Sequence, residues 1–316
     1  MPRQYLVTGG AGFIGSHLCD ALIAQGHRVR VLDNLSTGHP QHLPPQAELI
    51  VGDVVDHETV ATVSAGIDGC FHLAAIASVA RSVEDWLGTH RSNLDGTINV
   101  FDAARSARPD SPPVPVVYAS SAAVYGDNET LPLVEAAPLN PLTPYGADKA
   151  GSELHGKAAW NVFGIPNTGL RFFNVYGPRQ DPMSPYSGVI SIFAERLISG
   201  HPLRIFGDGR QTRDFIYVED VVATLLSAMA NCSSHASVYN VCTGSPTSIN
   251  ALVDALERVV GRKAFVQHDP RRHGDIDRSC GDPARMSRDL GVYARTPIDI
   301  GLAHLIDWQR RLASAA

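Results

Sequence analysis

A tyrosine and a lysine four residues apart, in Tyr145-Gly146-Ala147-Asp148-Lys149, put a phenol and an ammonium on one face of a helix. A phenol titrates near ~10 in water. A neighbouring cation favours its ionised form, so the pair is a means of making a base that works near neutrality. This spacing also arises by chance, and a second group gives it weight. The run Ala119-Ser120-Ser121-Ala122-Ala123-Val124-Tyr125-Gly126 ends an apolar strand, and there Ser121 can hydrogen-bond the oxygen that Tyr145 would deprotonate, with Ser120 as the fallback. The chemistry these residues suit is removal of a proton from a hydroxyl group.

A cofactor for that chemistry is suggested at the start of the chain. Val7-Thr8-Gly9-Gly10-Ala11-Gly12-Phe13-Ile14-Gly15-Ser16 places glycines at 9, 12 and 15 between a strand and a helix. Gly9 permits a tight turn, Gly12 lets backbone approach a pyrophosphate, and Gly15 lets the helix pack close to the strand. The helix N-terminus then offers N–H groups to phosphate charge. The following strand ends in Asp33-Asn34. A carboxylate there accepts from the adenosine ribose hydroxyls and repels a 2′-phosphate, and no Arg stands beside it, which favours NAD over NADP. In Gly52-Asp53-Val54, Asp53 is placed to accept from the adenine amino group, or simply to cap a helix. With NAD, the positive nicotinamide ring would join Lys149 in favouring the Tyr145 phenolate.

These residues, with Leu73-Ala74-Ala75 and Asn93, resemble an extended short-chain dehydrogenase/reductase. More narrowly, the chain resembles the nucleotide-sugar 4-epimerases of the UDP-glucose 4-epimerase type, from residue 5 to about residue 290. The resemblance implies that NAD is bound by Gly9, Gly12, Phe13, Ile14, Gly15, Asp33, Asn34, Asp53, Val54, Leu73, Ala74, Ala75, Asn93, Tyr145, Lys149 and Phe173. It also implies a UDP-sugar partner. Within Leu170-Arg171-Phe172-Phe173-Asn174-Val175-Tyr176-Gly177-Pro178-Arg179-Gln180, Asn174 would contact the UDP diphosphate. Ile205 and Phe206 would lie on the uracil, Arg213 and Arg272 would hold the phosphates, and Asp275 the ribose, with Ser78, Ser121 and Val189 also on the substrate. Two guanidinium groups suit a diphosphate, whose paired oxygens match their planar forks.

The resemblance further implies that Tyr145 removes the O4 proton while C4 gives hydride to NAD. Related dehydratases resemble one another in an Asp-Glu pair after the catalytic hydroxyl residue. Ala122-Ala123 stands there and cannot transfer a proton, so 4,6-dehydration is disfavoured. Uronic-acid epimerases and decarboxylases need a cation for the C6 carboxylate; Arg179, Arg204 and Arg278 are candidate sources, but Asn174 fits the neutral-sugar pattern better. Turnover of the keto sugar and return of the hydride gives C4 epimerisation of UDP-Glc and UDP-Gal. Ser279 occupies a position that resembles the family's size gate at the C2 substituent, and its small side chain leaves room for UDP-GlcNAc and UDP-GalNAc. A nucleotide-sensing module would need the glycine turn but not Ser121, Tyr145 and Lys149.

These groups must be positioned by alternating strands and helices. Strands are expected at 5–8, 28–32, 48–51, 70–73, 116–119 and 168–172, with helices at 16–25, 54–64, 90–107 and 145–162 between them. That alternation predicts an α/β fold: a Rossmann-type, doubly wound parallel sheet covered on both faces. Beyond residue 174, helices at 189–199, 218–230, 248–260 and 298–311 mix with strands at 203–206, 214–217, 238–241 and 264–268. The division expected is an NAD-binding domain at 1–173 and a smaller lobe at 174–316, mainly for the UDP-sugar, with some segments returning to the main sheet. The two long helices, 90–107 and 145–162, would pair across a two-fold axis in a homodimer, as the resemblance implies.

Composition sets the outer limits. The chain has 316 residues, 44% hydrophobic and 18% charged, long enough to bury roughly 75% of its unfolded surface without a disulfide or metal staple. Its 26 Lys and Arg against 32 Asp and Glu leave a net charge of −6, unsuited to nucleic acid or an anionic membrane as partner. The longest apolar stretches, near 70–80 and 114–124, are too short and broken to span a bilayer. Residues 1–15 read as strand and glycine loop, not as a signal peptide. The five cysteines, Cys19, Cys70, Cys232, Cys242 and Cys280, contain no C-x-x-C pair and read as buried apolar groups in a reducing, cytoplasmic compartment. The 13 histidines show no metal-binding spacing, so no metal is expected.

Overall fold

Runs of β-branched residues closed by glycine turns build the first half. The computed structural model describes residues 1–108, 110–184, 188–232, 235–271 and 276–315. β1 (Gln4–Thr8) leads through the glycine turn to α1 (Phe13–Ala24), followed by β2 (Arg28–Asp33), β3 (Glu48–Val51), α2 (His57–Ser64) and β4 (Gly69–His72). Then come α3 (Val79–Glu84), α4 (Trp86–His90) and α5 (Gly96–Ser106), the last two joined by one wide π-type turn, Arg91–Asp95. β5 (Val116–Ser121), α6 (Pro144–Phe163), β6 (Asn167–Phe172) and β7 (Asn174–Tyr176) complete this half. The second half holds α7 (Val189–Ser199), β8 (Leu203–Phe206), β9 (Thr212–Tyr217), α8 (Val218–Asn231), β10 (Ala236–Val241) and β11 (Pro246–Ser248). It ends with α9 (Ile249–Val260), β12 (Val266–Asp269), α10 (Ala284–Leu290) and α11 (Ile298–Ala315).

The main sheet has seven parallel strands in the order β3-β2-β1-β4-β5-β6-β10, the doubly wound arrangement expected. One face is covered by α1, α8 and α10, where Leu18, Leu22, Val221, Leu225 and Leu290 meet Val7, Val31 and Val117. α2, α5 and α6 cover the other, where Val60, Val100, Phe101 and Ala159 meet Leu6, Leu32 and Val116. Such continuous apolar strands are what burial on both faces demands.

A second core gathers α7, α9 and α11 around a three-stranded sheet, β11-β9-β7, and the pair β12-β8. Phe193, Leu197, Phe215, Leu252, Leu256, Leu302 and Leu305 fill it. Between the two cores lies the buried carboxylate of Asp214, which accepts from Thr243 N (2.8 Å), Thr243 Oγ1 (2.6 Å), Gly244 N (2.9 Å) and Gly281 N (3.2 Å). Four donors on one carboxylate satisfy the charge and tie β9 to the segment entering α10.

Several boundaries differ from expectation for local reasons. The helix expected at 90–107 begins at Trp86, where Asp85 accepts from Gly88 N (3.0 Å), and it widens at Arg91–Asp95. α2 starts at His57, not residue 54, because Asp53 accepts from Val55 N and holds a turn, leaving Asp56 as the cap. α6 starts one residue early, with Thr143 capping Gly146 N (3.2 Å) and Pro144 in the first turn. All five cysteines are free and buried. Among the described residues no helix is long and apolar enough to cross a membrane, and no cluster of His, Cys, Asp or Glu could hold a metal ion.

Candidate active site

A cleft of about 410 Å³ opens at the C-terminal ends of β1, β2, β4, β5 and β6, the end at which open parallel sheets take ligands. Gly9, Gly12, Phe13, Ile14, Gly15, Asp33, Asn34, Asp53, Val54, Leu73, Ala74, Ala75, Tyr145, Lys149 and Phe173 line it, together with Ser121 and Asn174.

The glycine turn is built for close approach. Gly9 has φ +68°, and a Cβ there would lie 2.6 Å from Ala74 N; at Gly15 it would lie 2.2 Å from Gly9 O. At Gly12 the sole neighbour of a Cβ would be Gly9 O at 3.2 Å, so its outer face is open to a group pressed against the backbone. Asp33 accepts from Ala11 N (2.9 Å) and Leu35 N (2.8 Å), which aims its carboxylate into the cleft. Burial pushes its pKa up, and the two backbone bonds oppose that. Each oxygen keeps a lone pair for a ribose hydroxyl. Asn34 Nδ2 donates to Asp53 Oδ2 (2.8 Å), fixing the wall beyond. These features fit a dinucleotide.

Asn93 stands outside the cleft. In the wide turn, it accepts from Ile76 N (2.8 Å) and donates to Ile76 O (3.2 Å), so it braces the Leu73–Ala77 wall from behind. Behind that wall, the buried His72 ring spans Thr8 Oγ1 (2.8 Å) and Thr97 Oγ1 (3.0 Å). Burial, with the charge of Lys149, pushes its pKa down to about 3, so it links β1 to α5 as a neutral imidazole. Neither its role nor the brace is visible in spacing alone.

Ser121, Tyr145 and Lys149 come together where β5 meets α6. Ser121 stands close enough to the Tyr145 phenol to favour its ionised form, and its hydroxyl accepts from Ala123 N (3.1 Å). Lys149 Nζ lies 6.0 Å from the centre of the Tyr145 ring and donates to Ala119 O (2.8 Å). Its burial pushes its pKa down to about 8, with the Asp148 charge opposing. Tyr145 is pushed up by burial, and Ser121 only partly offsets this. Without the nicotinamide charge, the chain alone therefore holds the phenol above its ordinary range. The ammonium is turned to the Ala119 carbonyl.

Ser120, though on the cleft wall, is committed elsewhere: its Oγ donates to Glu153 Oε1 (2.5 Å). Glu153 receives Arg171 in a two-pronged bond, Nε at 2.8 Å and Nη2 at 2.7 Å. Arg171 Nη1 donates to Tyr125 Oη (2.7 Å), which donates to Asn240 Oδ1 (2.6 Å). This buried chain joins β5, α6, β6 and β10 beneath Ser121. Glu153 follows Lys149 by four residues, so the helical repeat Tyr145, Lys149, Glu153 was a signal that could have found it.

The residues expected on the UDP-sugar are more dispersed. Ser78 is buried and caps α3, accepting from Arg81 N (3.1 Å), and is not on the cleft wall. Val189 begins α7 and Ile205 lies in the second core. Phe206 borders a second cavity of about 500 Å³ with Arg210, Gln211, Arg271, Asp277 and Arg278. Arg213 is on β9, its Nη1 donating to Thr212 O (2.9 Å). Ser279 N donates to Thr212 O (3.2 Å), and two residues on a Cβ at Gly281 would lie 2.6 Å from the Phe173 ring, so this segment packs against the cleft wall. Arg272 and Asp275 lie outside the described residues. Of the three cations considered for a carboxylate, Arg204 pairs with Asp269 (2.8 Å), Arg278 borders the second cavity and Arg179 pairs with Asp20 on α1 (2.7 Å).

Comparison with known proteins agrees with the fold and with a dinucleotide cofactor. The profile of the NAD dependent epimerase/dehydratase family matches residues 5–242. A UDP-glucose 4-epimerase of Mycolicibacterium smegmatis is 37% identical over 312 residues, covering 96% of this chain and 98% of that protein. The UDP-glucose 4-epimerase of Thermotoga maritima, solved with UDP-glucose, superposes with a TM-score of 0.93 at 34% identity, covering 98% of this chain and 99% of that one. The UDP-N-acetylglucosamine 4-epimerase of Methanobrevibacter ruminantium M1, solved with UDP-N-acetylmuramic acid, gives 0.92 at 33% identity, covering 100% and 99%.

Proposed function

We propose that this chain, which belongs to the NAD dependent epimerase/dehydratase family, inverts C4 of UDP-hexoses: UDP-Glc with UDP-Gal, and UDP-GlcNAc with UDP-GalNAc. The observation that carries the reading is the junction of Ser121, Tyr145 and Lys149 at the mouth of a cleft floored by the glycine turn. NAD, when bound there, supplies a reversible hydride acceptor and a positive charge beside the phenol. Tyr145 takes the O4 proton and later returns it, Ser121 orients the same oxygen, and Lys149 holds its charge near the phenol. The flanking Ala122 and Ala123 offer no proton-transfer group for dehydration. Incubation of the purified chain with UDP-galactose, followed by NMR, should show equatorial–axial inversion at C4. No inversion with any UDP-hexose, despite bound NAD, would leave a binding role instead.

The UDP-sugar end comprises Asn174, Arg213, Ile205, Phe206, Val189 and Ser78, together with Arg272 and Asp275. Ser279 gates the C2 substituent. The packing of its segment on Phe173 supports this, as does the relative that acts on UDP-N-acetylglucosamine. Ser279→Tyr should abolish turnover of the N-acetylated pair and spare the plain pair; unchanged N-acetyl turnover would remove the gate assignment.

The active form is a homodimer. α3, α4 and α5 all pack against α6, and their outer faces carry Val83, Trp86, Leu87, Leu154 and Val162, each at least 65% exposed. Apolar side chains gathered on adjoining helices favour a partner surface, and two such helix pairs make a four-helix contact. Sedimentation should give twice the chain mass, and Leu154→Glu should halve it.

A further inference from the structure

Arg179 combines three features that the site described so far leaves without a use. Its backbone is left-handed, φ +68°, a conformation that a residue with a Cβ adopts rarely and at a cost. It is pinned to α1 from two sides: its Nη2 meets Asp20 Oδ2 at 2.7 Å, and His17 Nε2 donates to the preceding carbonyl, Pro178 O, at 2.9 Å. Its Nη1 is buried and has no hydrogen-bond partner among the described residues. The side chain as a whole remains 24% exposed and borders the cleft, so its outward part can meet an anion that enters there.

The residue lines the same cleft as Gly12, Phe13 and Ser36. Among the described residues on that wall, only Lys149 and Arg179 are Lys or Arg, and the Lys149 ammonium is turned to Ala119 O. The nearby His17 and His42 are kept below their ordinary pKa first by burial, the Arg179 charge adding to it, so they supply no lasting cation at neutral pH. A dinucleotide brings two negative charges to the turn, whose own donors are backbone N–H groups.

We infer that Arg179 is the cationic partner of the NAD diphosphate, held on α1 by Asp20 and His17 with the exposed part of its side chain bordering the cleft. This rests on the reading of the cleft as an NAD site. It assigns the residue to the cofactor, and not to a sugar carboxylate or to the substrate's diphosphate. Planar guanidinium N–H groups suit phosphate oxygens, and the Asp20 pairing fixes the fork before the ligand arrives.

The test uses the full chain, NAD release from it, and binding of UDP as a separate probe. Wild type should retain NAD through gel filtration; if it does not, the NAD reading itself fails. Arg179→Gln should release NAD at least tenfold faster, with UDP affinity unchanged. Arg179→Asn removes the charge and suits a left-handed backbone, so the cofactor-free chain should unfold no earlier than wild type while NAD raises its melting temperature less. Equal NAD release in wild type and both variants overturns the inference. So does a tenfold loss of UDP affinity with NAD retention intact, which would place Arg179 on the substrate.

Discussion

Tyr145→Phe should lower C4 inversion of UDP-galactose by about 10²–10⁴-fold while the chain keeps its NAD. The variant deletes one oxygen, the one beside Ser121, and leaves the ring and its packing in place. Lys149 would still donate to Ala119 O, and no wall of the dinucleotide cleft would be lost. A loss of NAD along with activity would mean that the phenol holds the cofactor and does not move the proton. Retained activity would assign proton transfer to another group. The pH profile adds a second reading. Lys149 is pushed down to about 8, so its ammonium predominates at neutral pH and is lost as pH climbs past that point. The turnover of wild type should therefore fall on the alkaline side from about pH 8, because the charge beside the phenol is lost there.

The second large effect concerns stability. Glu153→Leu should cost about 3–5 kcal/mol, since it strands the Arg171 guanidinium in a dry interior. Both side chains are nearly inaccessible, at 5% and 6% exposure, and water cannot replace the missing carboxylate. Ser120 Oγ would lose its acceptor as well. Removing both charges, in Glu153→Leu with Arg171→Leu, should recover part of the loss, because no unpaired ion remains. Equilibrium denaturation reads both values. A single-variant cost below about 1 kcal/mol would show the pair to be solvated and energetically minor.

Much of this was legible before the structure. Hydrophobic alternation and glycine punctuation located the seven strands of the main sheet to within a few residues, because each strand is a local apolar run bounded by a local turn. The glycine turn and the Tyr145, Lys149 pair could be read for the same reason: their spacing is short and their chemistry distinctive. What escaped depends on long-range pairing. Ser120, Glu153, Arg171, Tyr125 and Asn240 form one hydrogen-bonded chain across four elements, and nothing in the local pattern around Asn240 points to Tyr125. Short elements such as β7 and β11 also escaped, since three residues carry no period. The wide turn at Arg91–Asp95 interrupts a helix that sequence periodicity makes continuous. Asn93 illustrates the boundary between the two cases. Its type and neighbourhood were suggestive, but the Ile76 backbone to which it bonds lies 17 residues away.

The Asp214 carboxylate and the seventh strand together have a consequence for modularity. After supplying the second core with β9, the chain goes back to the first sheet as α8 and β10, returns with β11 and α9, and crosses again for α10. Asp214 gathers its donors from both of the later passages. No single cut separates a cofactor half from a sugar half. Recombination between relatives could not exchange substrate preference by swapping one contiguous cassette at residue 174, because the cassette would carry away the edge strand of the sheet it leaves. New specificity in such a chain has to arise by point changes along the cleft, with the interleaved scaffold inherited whole.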